Sequence, residues 1–194
     1  MSDADARVMD STAIKLITND NETENIEMGS QNHSILQARL AGLFWADDRY
    51  TVATELSLDV QDKDISSFFK ESKNELKPDI CLYPIDSDFD LIDTRERDDI
   101  LKRAEMPCLV IEILSPTDKI AITVAKIRAY LKLGVKSGWL VFPDLKAIAI
   151  YSAGNDTPTF DMQHTDIVDK ILDIHLPMPR IFATKPLRKP KFTN

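Results

Sequence analysis

Near its middle the chain reads Cys108-Leu109-Val110-Ile111-Glu112-Ile113-Leu114, a continuous apolar run that is interrupted by one glutamate. The run is short and rich in β-branched residues, which predicts a strand at the centre of a sheet, buried on both faces. A carboxylate is seldom buried unless another group pairs with it. Glu112 therefore indicates either a structural salt bridge or a functional site, and the strand alone does not separate the two.

A second carboxylate lies in a similar setting. Asp79 follows Pro78 and opens the short apolar segment Ile80–Tyr83, which also predicts a strand. If the two strands are neighbours, Asp79 and Glu112 together offer the oxygen ligands that divalent cations prefer. A metal held by two carboxylates is a common device for cleaving phosphodiesters. The alternative for Asp79 is a turn or cap carboxylate at a strand edge.

A helix is predicted after the strand of Glu112, from a cap at Thr117 to about Leu133, with Gly134 ending it. It carries two adjacent apolar stripes, so most of its surface is expected to be buried. Lys126 interrupts one of these stripes. A lysine held near two carboxylates can orient water and stabilise charge that develops on a phosphate. The alternative is a lysine whose ammonium group lies in solvent.

Glu55 is the fourth candidate. It lies in Tyr50–Val60, whose alternation of apolar and polar residues predicts one long strand. Glu55 shares the less apolar face of that strand with Ala53 and Ser57. It can add a metal ligand or accept a proton from water, and the alternative is a solvent-facing glutamate.

The remaining segments mix helices and strands. Helical spacing begins at a cap, Ser30 or Asn32, and continues to Trp45. Residues 139–142 and 147–151 predict two strands joined by a turn, and residues 160–162 and 171–176 predict weaker strands. Because a helix links two strands, the predicted fold class is α/β or α+β.

Two segments have no strong periodicity. Residues 61–77 are charged and predict a loop with a short turn. Residues 86–105 form an acidic insertion, for which the pattern favours a helix near residues 98–104.

Length and composition predict one domain, at residues 29–182. The chain has 194 residues, 43% of them hydrophobic, which is enough for one well-filled core. Residues 1–28 are polar and acidic and are expected to be partly flexible. No apolar run reaches the roughly 20 residues of a membrane span, and the start lacks the order of a signal peptide. Cys81 and Cys108 lie in predicted buried strands, which favours reduced thiols and a cytoplasmic location.

The formal net charge is −8, which argues against strong non-specific binding to nucleic acid. It does not exclude a nuclease, because a bound metal offsets the carboxylates of its own site. Residues 183–194 form a basic tail, which either contacts a phosphate backbone or simply remains solvated.

The histidines and cysteines give little further indication. His33, His164 and His175 are scattered, and the sequence pattern assigns them no role. No paired cysteines or histidines occur at zinc-binding spacing, so a zinc site is not expected.

Several of these segments occur in a specific order. They are Pro78-Asp79-Ile80, Pro107–Thr117, Lys126–Tyr130, Gly134-Val135 and Trp139–Asp144, preceded by Gln31–Ser34 and Glu55-Leu56. The ordered set, which covers roughly residues 29–151, resembles the Uma-two family of restriction-endonuclease-like proteins, a branch of the PD-(D/E)XK nuclease superfamily.

The resemblance implies a restriction-endonuclease-like core, with a mixed central sheet flanked by helices. By position, Asp79 matches the first metal-binding acid of the family, Glu112 matches the second, and the backbone carbonyl of Ile113 is a further ligand. Lys126 matches a lysine that has moved from the strand to the helix, and Glu55 matches an upstream acid. The implied activity is that of a Mg²⁺- or Mn²⁺-dependent endonuclease acting on DNA, and a homodimer is the expected oligomer.

Three positions depart from the family pattern. Leu114 stands at the usual lysine position, two residues after Glu112; Ile122 replaces an aspartate four residues before Lys126; and Gly138 replaces a tyrosine. Three interpretations stay open. The first is an active nuclease, and the second is a catalytically degenerate member that serves as a binding or assembly module. The third is a structural α/β domain in which Lys126 only neutralises the carboxylates.

Overall fold

A mixed sheet with helices on both sides forms the fold in the computed structural model, which describes residues 30–69, 73–86, 101–154 and 156–184. The helices are α1 (Gln31–Trp45), α2 (Ile120–Lys132) and α3 (Met178–Phe182). The strands are β1 (Tyr50–Thr54), β2 (Leu58–Asp59), β3 (Glu75–Leu76), β4 (Ile80–Pro84), β5 (Leu109–Ile113), β6 (Ser137–Phe142), β7 (Ala147–Ser152), β8 (Thr159–Phe160), β9 (Asp166–Asp169) and β10 (Ile174–Pro177).

Within the described residues, the central sheet has six strands in the order β1-β4-β5-β6-β7-β8. Strands β5 and β6 are parallel, and each other neighbouring pair is antiparallel. A parallel pair requires a crossover connection, which α2 supplies. The predicted fold class, a mixed central sheet flanked by helices, is therefore confirmed.

Strand β5 lies at the centre of the core, and all of its residues are buried. On one face, Ile111 shares a cluster with Phe44 of α1 and Trp139 of β6. On the other face, Val110 shares a cluster with Tyr130 of α2. Since side chains alternate along a strand, Glu112 lies on the α2 side with Val110.

Helix α2 passes closely over β6 at Gly138. A Cβ added at Gly138 would lie 2.7 Å from the Cγ2 atom of Ile127, so a larger residue would displace the helix. The close contact with Ile127 thus favours glycine at this position.

The first turn of α2 departs from prediction. The helix begins at Ile120 and not after a cap at Thr117, because Lys119 occupies the N-cap position. Ile120 and Ile122 are 54% and 58% exposed. The expected burial of two adjacent helix faces is therefore wrong for the first turn.

The predicted strand Tyr50–Val60 is divided in two. Glu55 has φ of 55°, a left-handed conformation that an extended strand excludes. Strand β1 therefore ends at Thr54. Strand β2 leaves the central sheet and pairs with β3, which lies in the predicted loop of residues 61–77.

Most other elements lie close to their predicted positions. Ser30 caps α1, and its hydroxyl accepts a 3.3 Å hydrogen bond from the backbone N–H of His33. Five further strands fall at or near predicted strands: β4, β6, β7, β8 and β10. The sequence pattern did not predict β9 or the five-residue helix α3.

The helix predicted near residues 98–104 of the acidic insertion is wrong where it can be tested. Residues 87–100 lie outside the described residues, whereas residues 101–104 contain no helix, and Arg103 forms an isolated bridge with Leu58. The N-terminal segment and residues 185–194 also lie outside the described residues.

Two further expectations concern the core and the membrane. Cys81 and Cys108 are buried and free, as predicted. Among the described helices, none has the length and apolar character needed to cross a bilayer.

Candidate active site

Antiparallel pairing of β4 with β5 brings the two predicted carboxylates together. Ile80 pairs with Ile111, so Asp79, one residue before β4, lies opposite Glu112. The Oδ2 atom of Asp79 accepts a 2.6 Å hydrogen bond from the backbone N–H of Ile113. The condition stated from sequence, that the two strands are neighbours, is met.

Glu112 is 5% exposed, and both of its oxygens are hydrogen-bonded. Oε2 accepts from Lys126 Nζ at 2.9 Å, and Oε1 accepts from the Tyr130 hydroxyl at 3.1 Å. Burial raises the pKa of Glu112 to about 7; Lys126 opposes the shift and the nearby Asp79 carboxylate adds to it. Near neutral pH, Glu112 can therefore either bind or release a proton.

Lys126 extends from α2 into the site. Besides its bond to Glu112, its ammonium donates a 2.6 Å hydrogen bond to the backbone oxygen of Lys77. The Lys126 side chain is 25% exposed. The ammonium is thus held between two acceptors. It is not free in solvent, which was the alternative for this lysine.

Tyr130 is a member of this site that the sequence pattern did not indicate. Its hydroxyl is buried, and burial together with the Glu112 charge raises the pKa of Tyr130 well above its ordinary value. Tyr130 therefore remains a hydrogen-bond donor to Glu112. The helical spacing of Tyr130 predicts only a place in an apolar stripe of α2, because its hydrogen-bond partner is 18 residues away.

Glu55 lies at the rim of the site, with its side chain 47% exposed. Its Oε1 atom accepts a 2.9 Å hydrogen bond from Gln37 Nε2, and its Oε2 atom lies 3.2 Å from Lys77 Nζ. The backbone N–H of Glu55 donates to the backbone oxygen of Asp79 at 3.2 Å. Its left-handed φ removes Glu55 from the alternation of β1, so this turn sets the direction of the side chain.

Gln37, another residue that the sequence did not indicate, joins the two acids. Its Nε2 atom also donates a 2.9 Å hydrogen bond to the backbone oxygen of Asp79. Helix α1 thereby fixes Glu55 and Asp79 relative to each other.

His33, which the sequence pattern gave no role, also lies in the site. From the first turn of α1, its Nε2 atom lies 3.2 Å from Asp79 Oδ1, and its Nδ1 atom lies 3.0 Å from Ser115 Oγ. The hydrogen bond to Asp79 raises the pKa of His33, and burial opposes this shift. The sequence feature that could have pointed to His33 is the Gln31–Ser34 segment. This segment contributes to the family resemblance but does not indicate a role for the imidazole.

Three side chains converge on one point. One ligand atom each from His33, Glu55 and Asp79 lies within 4.8 Å of the other two. Carboxylate oxygens and an imidazole nitrogen are a donor set that fits a divalent cation. Glu112 lies outside this group, next to it and paired with Lys126.

A cleft of about 310 Å³ adjoins the site. Ser115, the partner of His33, lines it, together with Asn32 and Asp118 on one side and Phe142 and Pro143 on the other. The cleft therefore meets the site at Ser115, which bonds to His33.

Comparisons with known proteins agree with this architecture. The model of the Uma2 family, described as "Putative restriction endonuclease", matches residues 7–179. A crystal structure described as a putative nuclease belonging to DUF820, from Anabaena variabilis ATCC 29413, is similar with a TM-score of 0.60 and 21% sequence identity. That match covers 80% of this chain and 82% of the other, and at this identity it shows the fold alone. No protein with a curated description matches the chain.

Proposed function

The chain belongs to the Uma2 family, as its sequence resemblance predicted, and from this membership we propose that it is a divalent-metal-dependent endonuclease that hydrolyses DNA phosphodiester bonds. One observation carries the proposal: Asp79 lies opposite Glu112, and Glu112 is bonded to Lys126. The arrangement joins oxygen ligands for a metal to a cation for the phosphate.

In the proposed site, Asp79, Glu112 and the backbone carbonyl of Ile113 hold Mg²⁺ or Mn²⁺, and Glu55 is an additional acid. The metal, when bound, polarises a phosphoryl oxygen and lowers the pKa of a coordinated water. The bond from the Ile113 N–H supports this assignment, because it fixes one oxygen of Asp79 and keeps the other directed into the site.

Lys126 is the proposed positioning group for water and phosphate. Its ammonium lies beside a buried carboxylate, where limited access to water strengthens electrostatic interactions. Glu112, which accepts a hydrogen bond from the same ammonium, keeps Lys126 in place. The two residues together can orient a water molecule and stabilise charge on the scissile phosphate.

The direct test combines metal-dependent stability with cleavage. In the wild type, Mg²⁺ or Mn²⁺ is expected to raise the melting temperature, because a ligand that binds only the native state stabilises it, by about 2.7 kcal/mol at 100 times Kd. The same samples are expected to nick supercoiled DNA. Asp79→Asn is expected to lose both effects. The matched control is Asp173→Asn, which changes a carboxyl whose side chain is 89% exposed, and it is expected to keep both effects. A wild type that neither gains stability nor cuts DNA would refute the metal mechanism.

The alternative function, a degenerate binding or assembly module, is favoured by Ile122, which stands at the family's aspartate position and is 58% exposed. Because its site is degenerate, that module is expected neither to gain stability from metal nor to cut supercoiled or single-stranded DNA. Absence of both effects in the test above would support it.

The proposal also includes a cytoplasmic homodimer, since cutting both strands of a duplex needs two sites and twofold pairing is the commonest arrangement. Sedimentation of the protein with and without DNA measures this directly. A monomer in both conditions would limit the proposed activity to nicking or to single strands.

Glu55→Gly is expected to lower cleavage by about 100-fold, the contribution of a positioned acid or base, without reducing stability. A left-handed φ costs a non-glycine residue roughly 1 kcal/mol, which glycine avoids, although its greater freedom when unfolded offsets part of the gain. Lys146 also has a left-handed φ, of 48°, in the exposed turn after β6. Lys146→Gly is thus the matched control, with similar stability in urea and unchanged cleavage. Equal cleavage by both variants would exclude Glu55 from catalysis.

A further inference from the structure

We propose that His33 is a nitrogen ligand of the metal, that Ser115 holds its ring in the required tautomer, and that the site consequently favours Mn²⁺ over Mg²⁺. The inference rests on the proposed function and deepens it, because it names the metal class of the same site. No such role for His33 follows from the sequence pattern.

The position of the ring is the first argument. His33 Nε2 lies 3.2 Å from Asp79 Oδ1, and both atoms belong to the group that includes a Glu55 oxygen within 4.8 Å. The side chains of His33 and Asp79 are each 14% exposed. Two carboxylates that converge on one point repel each other, and a cation placed between them and the imidazole nitrogen removes that repulsion.

The second argument concerns the other ring nitrogen. His33 Nδ1 lies 3.0 Å from the Ser115 hydroxyl oxygen. When Nδ1 carries a proton and donates it to Ser115, a cation can displace the Nε2 proton that bonds to Asp79 and bind the Nε2 lone pair. The backbone N–H of Ser115 donates a 2.6 Å bond to Asp118 Oδ2, which holds Ser115 in place. A hydrogen bond from the non-coordinating nitrogen is the usual support of a metal-binding histidine.

The third argument is that the ring is held from its backbone as well. The N–H of His33 bonds to the Ser30 hydroxyl at the start of α1. On the opposite side, Gln37 of the same helix holds Glu55 and the backbone of Asp79. Helix α1 therefore positions one ligand itself and orients the other two.

Selectivity follows from the chemistry of the donors. Mg²⁺ takes oxygen ligands almost exclusively and keeps several waters. Imidazole binds transition metals better, and oxygen ligands suit Mn²⁺ as well. Adding one imidazole to the oxygen ligands of the site therefore increases the affinity for Mn²⁺ more than the affinity for Mg²⁺.

The test measures binding of Mn²⁺ alone to the full chain by titration calorimetry and pulsed EPR, with Mg²⁺ as competitor and supercoiled DNA cleavage in parallel. The wild-type Mn²⁺ signal is expected to show nitrogen coupling from one imidazole. His33→Asn is expected to lose that coupling and at least about tenfold in Mn²⁺ affinity, with a smaller loss for Mg²⁺. His164→Asn is the matched control, since His164 pairs with Asp161 at 3.0 Å on the surface, and it is expected to behave as the wild type.

Ser115→Ala keeps the test decisive if His33→Asn folds poorly. It is expected to retain the nitrogen coupling with an Mn²⁺ affinity about tenfold weaker, the usual effect of removing the partner of a metal-binding histidine. Bound Mn²⁺ without nitrogen coupling in the wild type overturns the inference and leaves the nuclease proposal intact if DNA is cut. Nitrogen coupling that depends on His33, without any cleavage, supports the inference and counts against the nuclease. If the wild type binds no Mn²⁺, both fall.

Discussion

Glu112→Gln is expected to lower metal-dependent cleavage by about 10³-fold, because it removes a proposed metal ligand and the carboxylate that holds Lys126, and to make the protein more stable at pH 8. The residue is buried and bonded to Lys126 and Tyr130 through different oxygens. In glutamine the amide oxygen can still accept from Lys126, and the amide nitrogen can donate to the Tyr130 hydroxyl, which accepts as well as donates. Function and stability should therefore respond to this substitution in opposite directions.

The gain in stability follows from the pKa of Glu112, which rises from 4.5 to about 7 because the group is buried. A carboxyl whose pKa is higher in the folded protein than in the unfolded chain binds more protons in the folded state. Its contribution to the stability of the folded protein is therefore fully present below pH 4.5. That stability is lost as the pH rises from about 4.5 through 7. A shift of this size corresponds to about 3 kcal/mol. Glutamine carries no charge to desolvate, so Glu112→Gln should lack this loss.

Urea unfolding at pH 5 and pH 8 measures the effect. The wild type is expected to be less stable at pH 8 than at pH 5. Glu112→Gln should keep only the decline that His33 contributes, because the pKa of His33 is also raised and its stabilisation is lost as the pH rises through that pKa. Equal pH dependence in both proteins would contradict the assignment of the shift to Glu112. Persistent cleavage by Glu112→Gln would remove Glu112 from the mechanism.

Asp169→Asn is expected to have the opposite effect, a loss of about 3 kcal/mol of stability, from donors left without acceptors. Asp169 is 1% exposed. One of its oxygens accepts from Ser137 Oγ and Trp139 Nε1, and the other accepts from the backbone N–H groups of Ile171 and Leu172. An amide replaces one acceptor by a donor that faces two other donors.

This network joins β9 and its turn to β6, so the loss should appear as cooperative unfolding at lower temperature, roughly 10 °C lower for a chain of this size. Thermal and urea unfolding measure it, and the exposed variant Asp173→Asn should change stability by at most about 0.5 kcal/mol. Metal binding by folded Asp169→Asn should be unchanged, because Asp169 bonds to none of the site residues. A wild-type melting temperature for Asp169→Asn would contradict the structural role.

Much of the fold could be predicted because its signals are local. The apolar run of β5, the strand of Asp79 and the helix that carries Lys126 each follow from the composition of a few consecutive residues. Asp79, Glu112 and Lys126 could be selected because each is a charged residue in an apolar setting, which is costly without a partner. The order of these segments predicted the family, which the family comparison confirmed.

The amino-acid sequence by itself determined the α/β class, the buried central strand and three of the charged residues that meet at the site. Tertiary structure alone decided which other groups join them: the imidazole of His33, the amide of Gln37 and the hydroxyl of Tyr130 come from helix positions that local patterns leave ordinary. It also decided the direction of Glu55, since a left-handed turn overrides strand alternation. The physical reason is that hydrophobic periodicity reports which face of an element is buried, whereas a polar site depends on distances between elements far apart in the chain, here 46 residues between His33 and Asp79.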